Sequence, residues 1–248
     1  MSTAALIALI ALFFLTSVVG VVTGSNSLIT VPVMFQFGID EKVAVATNMF
    51  GLTFMAAGAT IPFLRSGQLD VKRLSPLLLL TLVGSALGAA LVGLITNQSI
   101  KLIVSVAMIT VVVFTLVKPG GVKKEGGEWS LSAIGLVATF LLAIYGGLYS
   151  GGYVTILTAV FVAFFGMQYS GAIAATKLVN VVSSAIATIV FMWQGLVDYK
   201  LGAVLGVTMF AGAYAGAHFV TQMNEKWLRR IFLTTVIFLA IKTLYDLL

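Results

Sequence analysis

There is no cysteine in the 248 residues, a single histidine, four prolines, and eight acidic side chains against 14 basic ones. The missing cysteines exclude disulfides and thiolate metal sites, and leave the redox compartment open. One histidine cannot build a His-rich metal centre, so neither a metal nor any other cofactor is expected. Charged residues make up 9% of the chain, where soluble domains carry about 25%. The acids Asp40, Glu41, Asp70, Glu125, Glu128, Asp198, Glu225 and Asp246 all fall in loops or near segment ends. That leaves no mid-membrane carboxylate for a proton relay or a sodium site. No acid, base and nucleophile group together at depth. Ser183 or Ser184 near Lys177 is the nearest approach to a dyad, and an enzyme is not expected.

What the chain has instead is apolar length. Hydrophobic residues form 60% of it, and runs of spanning length recur at 4–22, 43–64, 74–95, 102–117, 131–145, 172–193, 201–220 and 231–247. This is the pattern of an all-α integral membrane protein with the lipid bilayer as its solvent. Met1-Ser2-Thr3 lacks a basic leader region, so the first run is expected to remain as the first helix. A net charge of +6 fits basic cytoplasmic loops and does not call for a nucleic-acid partner. Trp129, Trp193 and Trp227 fall at predicted span ends, where their rings suit the membrane interface.

The chain is organised around two copies of Gly-x-x-(Ser/Thr)-Gly, Gly20 to Gly24 and Gly147 to Gly151. Each precedes an apolar run, 28–37 and 154–165, that covers roughly half of a ~30 Å hydrocarbon core as helix. Two broken helices are therefore expected. Irregular backbone at that depth survives only where protein buries it or a cavity adjoins it.

The two copies belong to a longer repeat at an offset of about 128. Gly38 falls on Gly166, Gly67 to Lys72 on Gly195 to Lys200, and Gly84 and Gly88 on Gly212 and Gly216. Ala46-Thr47-Asn48 falls on Ala175-Thr176-Lys177 after a one-residue slip. The charge bias then swaps loops between halves: Arg65, Lys72 and Arg73 mark one loop of the first, and Lys226, Arg229 and Arg230 a different loop of the second. An inverted duplication follows, with repeats at 1–117 and 131–248, a cytoplasmic linker at 118–130, and both termini outside. Odd parity requires each broken pair either to cross twice or to re-enter, giving five segments per half. The spacing of Gly84 and Gly88, and of Gly212 and Gly216, suits close helix packing and serves a homodimer interface equally well.

The chemistry concentrates on the breaks and on one deep charge. Lys177 shares a helix face with Asn180, Ser183 and Ser184; it either meets an anion in a cavity or snorkels to the interface. Half-helix N-termini present N–H groups and a positive dipole end. Ser25, Asn26 and Ser27 are possible caps after the first break, and Gly152, Tyr153 and Thr155 follow the second. The expected anion site is thus Thr23, Gly24, Ser25, Asn26, Ser27, Thr47, Asn48, Ser150, Gly151, Gly152, Tyr153, Thr176, Lys177 and Asn180. His218 is a proton carrier or, more simply, a packing or interfacial residue. Lys242 and Asp246 form an i,i+4 surface pair.

At these residues the sequence resembles the TauE/SafE family, the sulfite exporter or four-toluenesulfonate uptake permease family, over essentially its whole length. Similar to the family are Gly20 to Ser27 with Val31-Pro32, Ala46-Thr47-Asn48, Lys177 with Asn180, and the turns at Gly67 to Asp70 and Gly195 to Asp198. Two departures are Thr23 to Ser27 in place of a run of glycines, and Met49 where many relatives have Lys. The resemblance implies a transporter of sulfite or related sulfonates across a prokaryotic inner membrane, as an exporter by alternating access. Import of thiosulfate or another small anion is the alternative.

Overall fold

The computed structural model describes residues 3–24, 26–100, 102–103, 106, 130–224, 227, 230 and 234. The expectations for Ser25, Trp129, most of the linker, the run 102–117, the final run 231–247 and the pair Lys242 and Asp246 lie outside the described residues. No strand occurs among the described residues, and eight helices order them: α1 (Thr3–Thr23), α2 (Ser27–Gln36), α3 (Glu41–Arg65), α4 (Val71–Leu94), α5 (Ala133–Leu148), α6 (Tyr153–Phe165), α7 (Tyr169–Trp193) and α8 (Tyr199–Val220). Helices α1, α3, α4, α7 and α8 are long and apolar enough to cross a membrane, whereas α2, α5 and α6 run to only 10, 16 and 13 residues.

Three of the acids cap helix starts among the described residues. Asp40 accepts from the Lys42 and Val43 N–H groups at the head of α3, Asp70 from Arg73 N–H at the head of α4, and Asp198 from Lys200 and Leu201 N–H at the head of α8. A carboxylate there satisfies donors the helix cannot and complements its positive end. Between helices the chain turns on glycines in the left-handed region. They come in pairs 128 positions apart: Gly24 and Gly152, Gly38 and Gly166, Gly67 and Gly195.

Helices α3 and α7 form the centre and pack on each other; α8 and α1 lie on the α3 side, α4 and α5 on the α7 side. Exchanging α1–α4 for α5–α8 turns the α3–α8 contact into α7–α4, α1–α8 into α5–α4, and α2–α3 into α6–α7. Gly84 and Gly88 of α4 meet the α5 backbone at Phe140 and Ile144, and Gly212 and Gly216 of α8 meet α1 at Phe14 and Val18. A Cβ on Gly88 would overlap the Ile144 carbonyl oxygen. The small-residue spacing is therefore used inside the chain. Leu79, Leu87, Leu94 and Val207 are exposed on the outer helices, as apolar side chains are when lipid is the solvent.

Contacts at the two ends of the bundle fix helix directions. One end gathers residues 68–74, the 166–168 loop and the start of α7 around a cavity of about 360 Å³. Ser130 N–H also donates to Phe165 O there. At the other end Asn97 donates to Asp40, Asp198 N–H to Thr47 Oγ1, and Gln194 to Ala89 O. So α3 and α7 run in opposite directions. The segment entering α5 and the end of α6 also lie together, since Gly135 packs on the Phe165 ring.

Candidate functional site

The two helix breaks meet. Gly24 has φ +69°, and a Cβ built on it would stand 2.8 Å from both Thr155 N and Val154 Cβ in the first turn of α6. Glycine is required there twice over, for its backbone conformation and for its missing side chain. Thr155 Oγ1 donates to Thr23 O at 2.6 Å, so the start of α6 closes the end of α1. Across the same junction Tyr149 donates to Ser27 O at 2.9 Å, and within the second break Tyr145 donates to Gly151 O. Ser27 and Ser150, one from each break, share a hydroxyl hydrogen bond of 2.7 Å.

That serine pair has a definite surplus. Thr30 Oγ1 donates to Asn48 Oδ1 at 2.8 Å, which orients the amide so that Asn48 Nδ2 donates to Ser27 Oγ at 2.9 Å. Ser27 and Ser150 hold two hydroxyl protons and use one between them. Whichever donates, one O–H remains to serve a third group.

Lys177 completes the constellation. It is 2% exposed, and its ammonium donates to Gly20 O, in the last turn of α1, at 2.9 Å. The snorkelling geometry is thus not adopted: the amine turns into the protein and sits at the negative end of a helix. Two of its three N–H donors remain. Around it lies a cavity of about 10 Å³ lined by Gly20, Gly24, Asn26, Ser27, Leu52, Met55, Ser150, Val154, Lys177 and Asn180. This is room for about one water molecule. Lys177 is the single charged residue of that lining, while Leu52, Met55 and Val154 make its apolar wall.

The family profile described as sulfite exporter TauE/SafE matches residues 9–243. The chain belongs to the TauE/SafE family. It is 26% identical over 234 residues to the "Probable membrane transporter protein ORF9" of a Sinorhizobium species, covering 94% of this chain and 90% of that one. It is 24% identical to a "Probable membrane transporter protein" of Haemophilus influenzae, over 94% of this chain and 92% of the other. It is 26% identical to the "Probable membrane transporter protein YfcA" of Escherichia coli K12, over 95% and 89%. No solved structure matches it significantly. A membrane transporter of this family is the level at which these likenesses agree.

Within this TauE/SafE chain, the structure sorts the residues that the sequence nominates. Gly24, Asn26, Ser27, Ser150, Lys177 and Asn180 line the cavity, and Asn48 donates to its Ser27. Thr23 and Gly151 are chain neighbours of lining residues, with their carbonyls taken by Thr155 and Tyr145 outside it. Thr47 and Thr176 do not join them. Thr47 accepts from Asp198 N–H at the far loop, and Thr176 bonds Ile173 O and Thr158. Tyr153 is fully buried with its ring against Gly146. Asn26 is the residue before α2 but makes no capping bond; its amide turns back to Ser17 Oγ and Met55 Sδ. The break registers at Gly24 and Gly152, not Gly24 and Gly151. Likewise α3 and α7 match at 128 without a slip, which sets Lys177 opposite Met49 and Asn180 opposite Leu52. His218 is exposed and bonds Gln222 on the next turn. Unforeseen contributors are Thr30, Tyr145, Tyr149, Leu52 and Met55; a hydroxyl four residues after Asn26 was the one sequence signal for Thr30.

Proposed function

We propose that this chain is a secondary transporter that exports sulfite or a related sulfonate across the prokaryotic inner membrane by alternating access. The observation that carries the reading is the meeting of two helix breaks around one buried cation. An anion bound there would take the free donors of Lys177 and of the Ser27–Ser150 pair, with the first turns of α2 and α6 adding their positive ends. Transporter names on the relatives argue against catalysis. The paired left-handed glycines, the opposed α3 and α7, and the three helix contacts that exchange preserves support two inverted repeats, 1–117 and 131–248. The closeness of Ser130 to Phe165 supports reading α5–α6 as a re-entrant pair.

With about 10 Å³ available, the observed form is closed, and a four-heavy-atom oxyanion enters only when the two breaks separate. Outward movement of a monoanion from a cell negative inside is favoured by about 2.3 kcal/mol per 100 mV, so a uniport is sufficient. The test is sulfite flux in proteoliposomes under an imposed voltage and, separately, a pH gradient, for the parent and Lys177→Ala. Saturable voltage-driven flux in the parent and its loss in the variant are expected. Sulfite flux unaffected by Lys177→Ala would overturn the site, and absence of sulfite flux in the parent would overturn the substrate.

A further inference from the structure

The hydrogen-bond balance of the cavity says more about its ligand than the single charge does. Asn26 Oδ1 and Asn180 Oδ1, on lining residues 4% and 5% exposed, are buried acceptors that nothing in the protein satisfies. The Asn180 nitrogen bonds nothing either, so that amide can present either atom, and only Asn26 is committed as an acceptor. The Asn26 amide cannot simply be turned round to hide the problem. Its nitrogen faces Met55 Sδ at 3.0 Å and Ser17 Oγ at 3.3 Å; a thioether only accepts, so the N–H side belongs there and the carbonyl oxygen belongs to the cavity. The opposite surplus lies beside it: two N–H groups of Lys177, one hydroxyl of the Ser27–Ser150 pair and the Asn180 amide N–H groups, which bond nothing in the protein.

A bare oxyanion answers only half of this. It accepts from Lys177, the serines and the Asn180 amide, and it places its own lone pairs against the Asn26 carbonyl oxygen, where they repel. A ligand that also carries an O–H satisfies both sides. Charge leads to the same choice. The lining offers one cation and no second, so a monoanion gives a neutral site, whereas a dianion leaves an uncompensated negative charge away from water.

Resting on the anion-transport reading above, we propose that the site selects a hydrogen oxyanion, a monoanion bearing an O–H donor such as HO–SO2−, in preference to a dianion or to a monoanion with no donor. Asn26 is its specificity-determining residue: its Oδ1 accepts the ligand's O–H, while Lys177, the serine pair and the Asn180 amide hold its charged oxygens. In the closed form a single water fits the volume and the same acceptor, so the ligand's O–H takes over a role that water can fill.

The experiment is competition against labelled sulfite flux in proteoliposomes at mildly acidic pH, using hydrogenselenite, methanesulfonate and sulfate as unlabelled probes. In the parent, hydrogenselenite should compete about tenfold or more better than methanesulfonate, the worth of one hydrogen bond to a charged ligand, and sulfate should compete worst. In Asn26→Leu the advantage over methanesulfonate should shrink to within about threefold, whereas Asn180→Leu should weaken both probes alike. Methanesulfonate competing as well as hydrogenselenite in the parent would overturn the donor requirement, and sulfate doing so would overturn the charge limit; in both cases the anion-transport reading stands. If neither sulfite nor any probe binds or moves, that reading falls and takes this one with it. The comparison in the parent is decisive even if a variant fails to fold.

Discussion

The contact between the two breaks makes a quantitative demand on Gly24. Replacing it with alanine has two costs. A left-handed φ of +69° strains any residue with a Cβ by about 1–2 kcal/mol. The new methyl would also stand 2.8 Å from Thr155 N and from Val154 Cβ; the first is main chain and the second is fixed to it, so neither can swing away. Overpacking of this kind costs about 1–3 kcal/mol more. Gly24→Ala should therefore lose about 2–5 kcal/mol. Gly38 is the internal control, because it has φ +76° and a methyl added there would find nothing within 4 Å. Gly38→Ala should lose only the backbone part, about 1–2 kcal/mol. For a chain of this size each kcal/mol moves a melting midpoint by about 2–4 °C, so thermal unfolding of the two variants in one detergent separates them. Gly24→Ala should also lose transport, since the push on Thr155 opens its bond to Thr23. Equal midpoints for the two variants would refute the contact between the breaks.

Other substitutions test the rest of the construction. Ser27→Ala and Ser150→Ala, singly and together, should show a coupling of about 0.5–3 kcal/mol in a double-mutant cycle read by thermal unfolding; additive effects would mean that the pair does not bond across the junction. Gly88→Ala puts a methyl into the Ile144 carbonyl oxygen and should destabilise by at least about 1–3 kcal/mol, with Leu87→Ala beside it, exposed to lipid, close to neutral by the same assay. Asp198→Ala removes the carboxylate that accepts from Lys200 and Leu201 and should cost about 0.5–2 kcal/mol. A cost well below that range would show that the α8 start is held by Thr47 alone.

Local rules made much of this architecture legible from sequence. Apolar runs of spanning length gave α3, α4, α7 and α8 nearly to their ends, and three of the acids expected in loops or near segment ends, Asp40, Asp70 and Asp198, are caps. The breaks were visible because glycines and hydroxyl residues interrupt an apolar run where nothing else does. Register was less legible. Motif matching aligned Gly24 with Gly151, but backbone conformation aligns it with Gly152, and conformation follows from φ, which two adjacent glycines leave undecided in sequence. Thr47 and Thr176 were misplaced for a different reason. Both are buried threonines on central helices, and helical periodicity alone cannot say whether a threonine turns to the cavity or to a neighbouring turn. The partners of Asn48 and Asn26 depend on α2 and α3 coming together, a tertiary fact with no local trace.

The match of α3 to α7 without a slip has a further consequence. A carrier made of two identical, oppositely inserted halves would be the same object seen from either side of the membrane, so its inward-open and outward-open forms would be equally populated when empty. Lys177 has Met49 as its opposite number, Asn180 has Leu52, and Ser183 has Met55, so the two halves meet the centre with different chemistry. On the inverted-repeat reading, swapping their postures exchanges a polar wall for an oily one, and the two empty forms no longer weigh the same. On the proposed alternating-access reading, the resting carrier waits on a preferred side, and the direction in which it most readily loads is set by a few central side chains rather than by the scaffold that holds them.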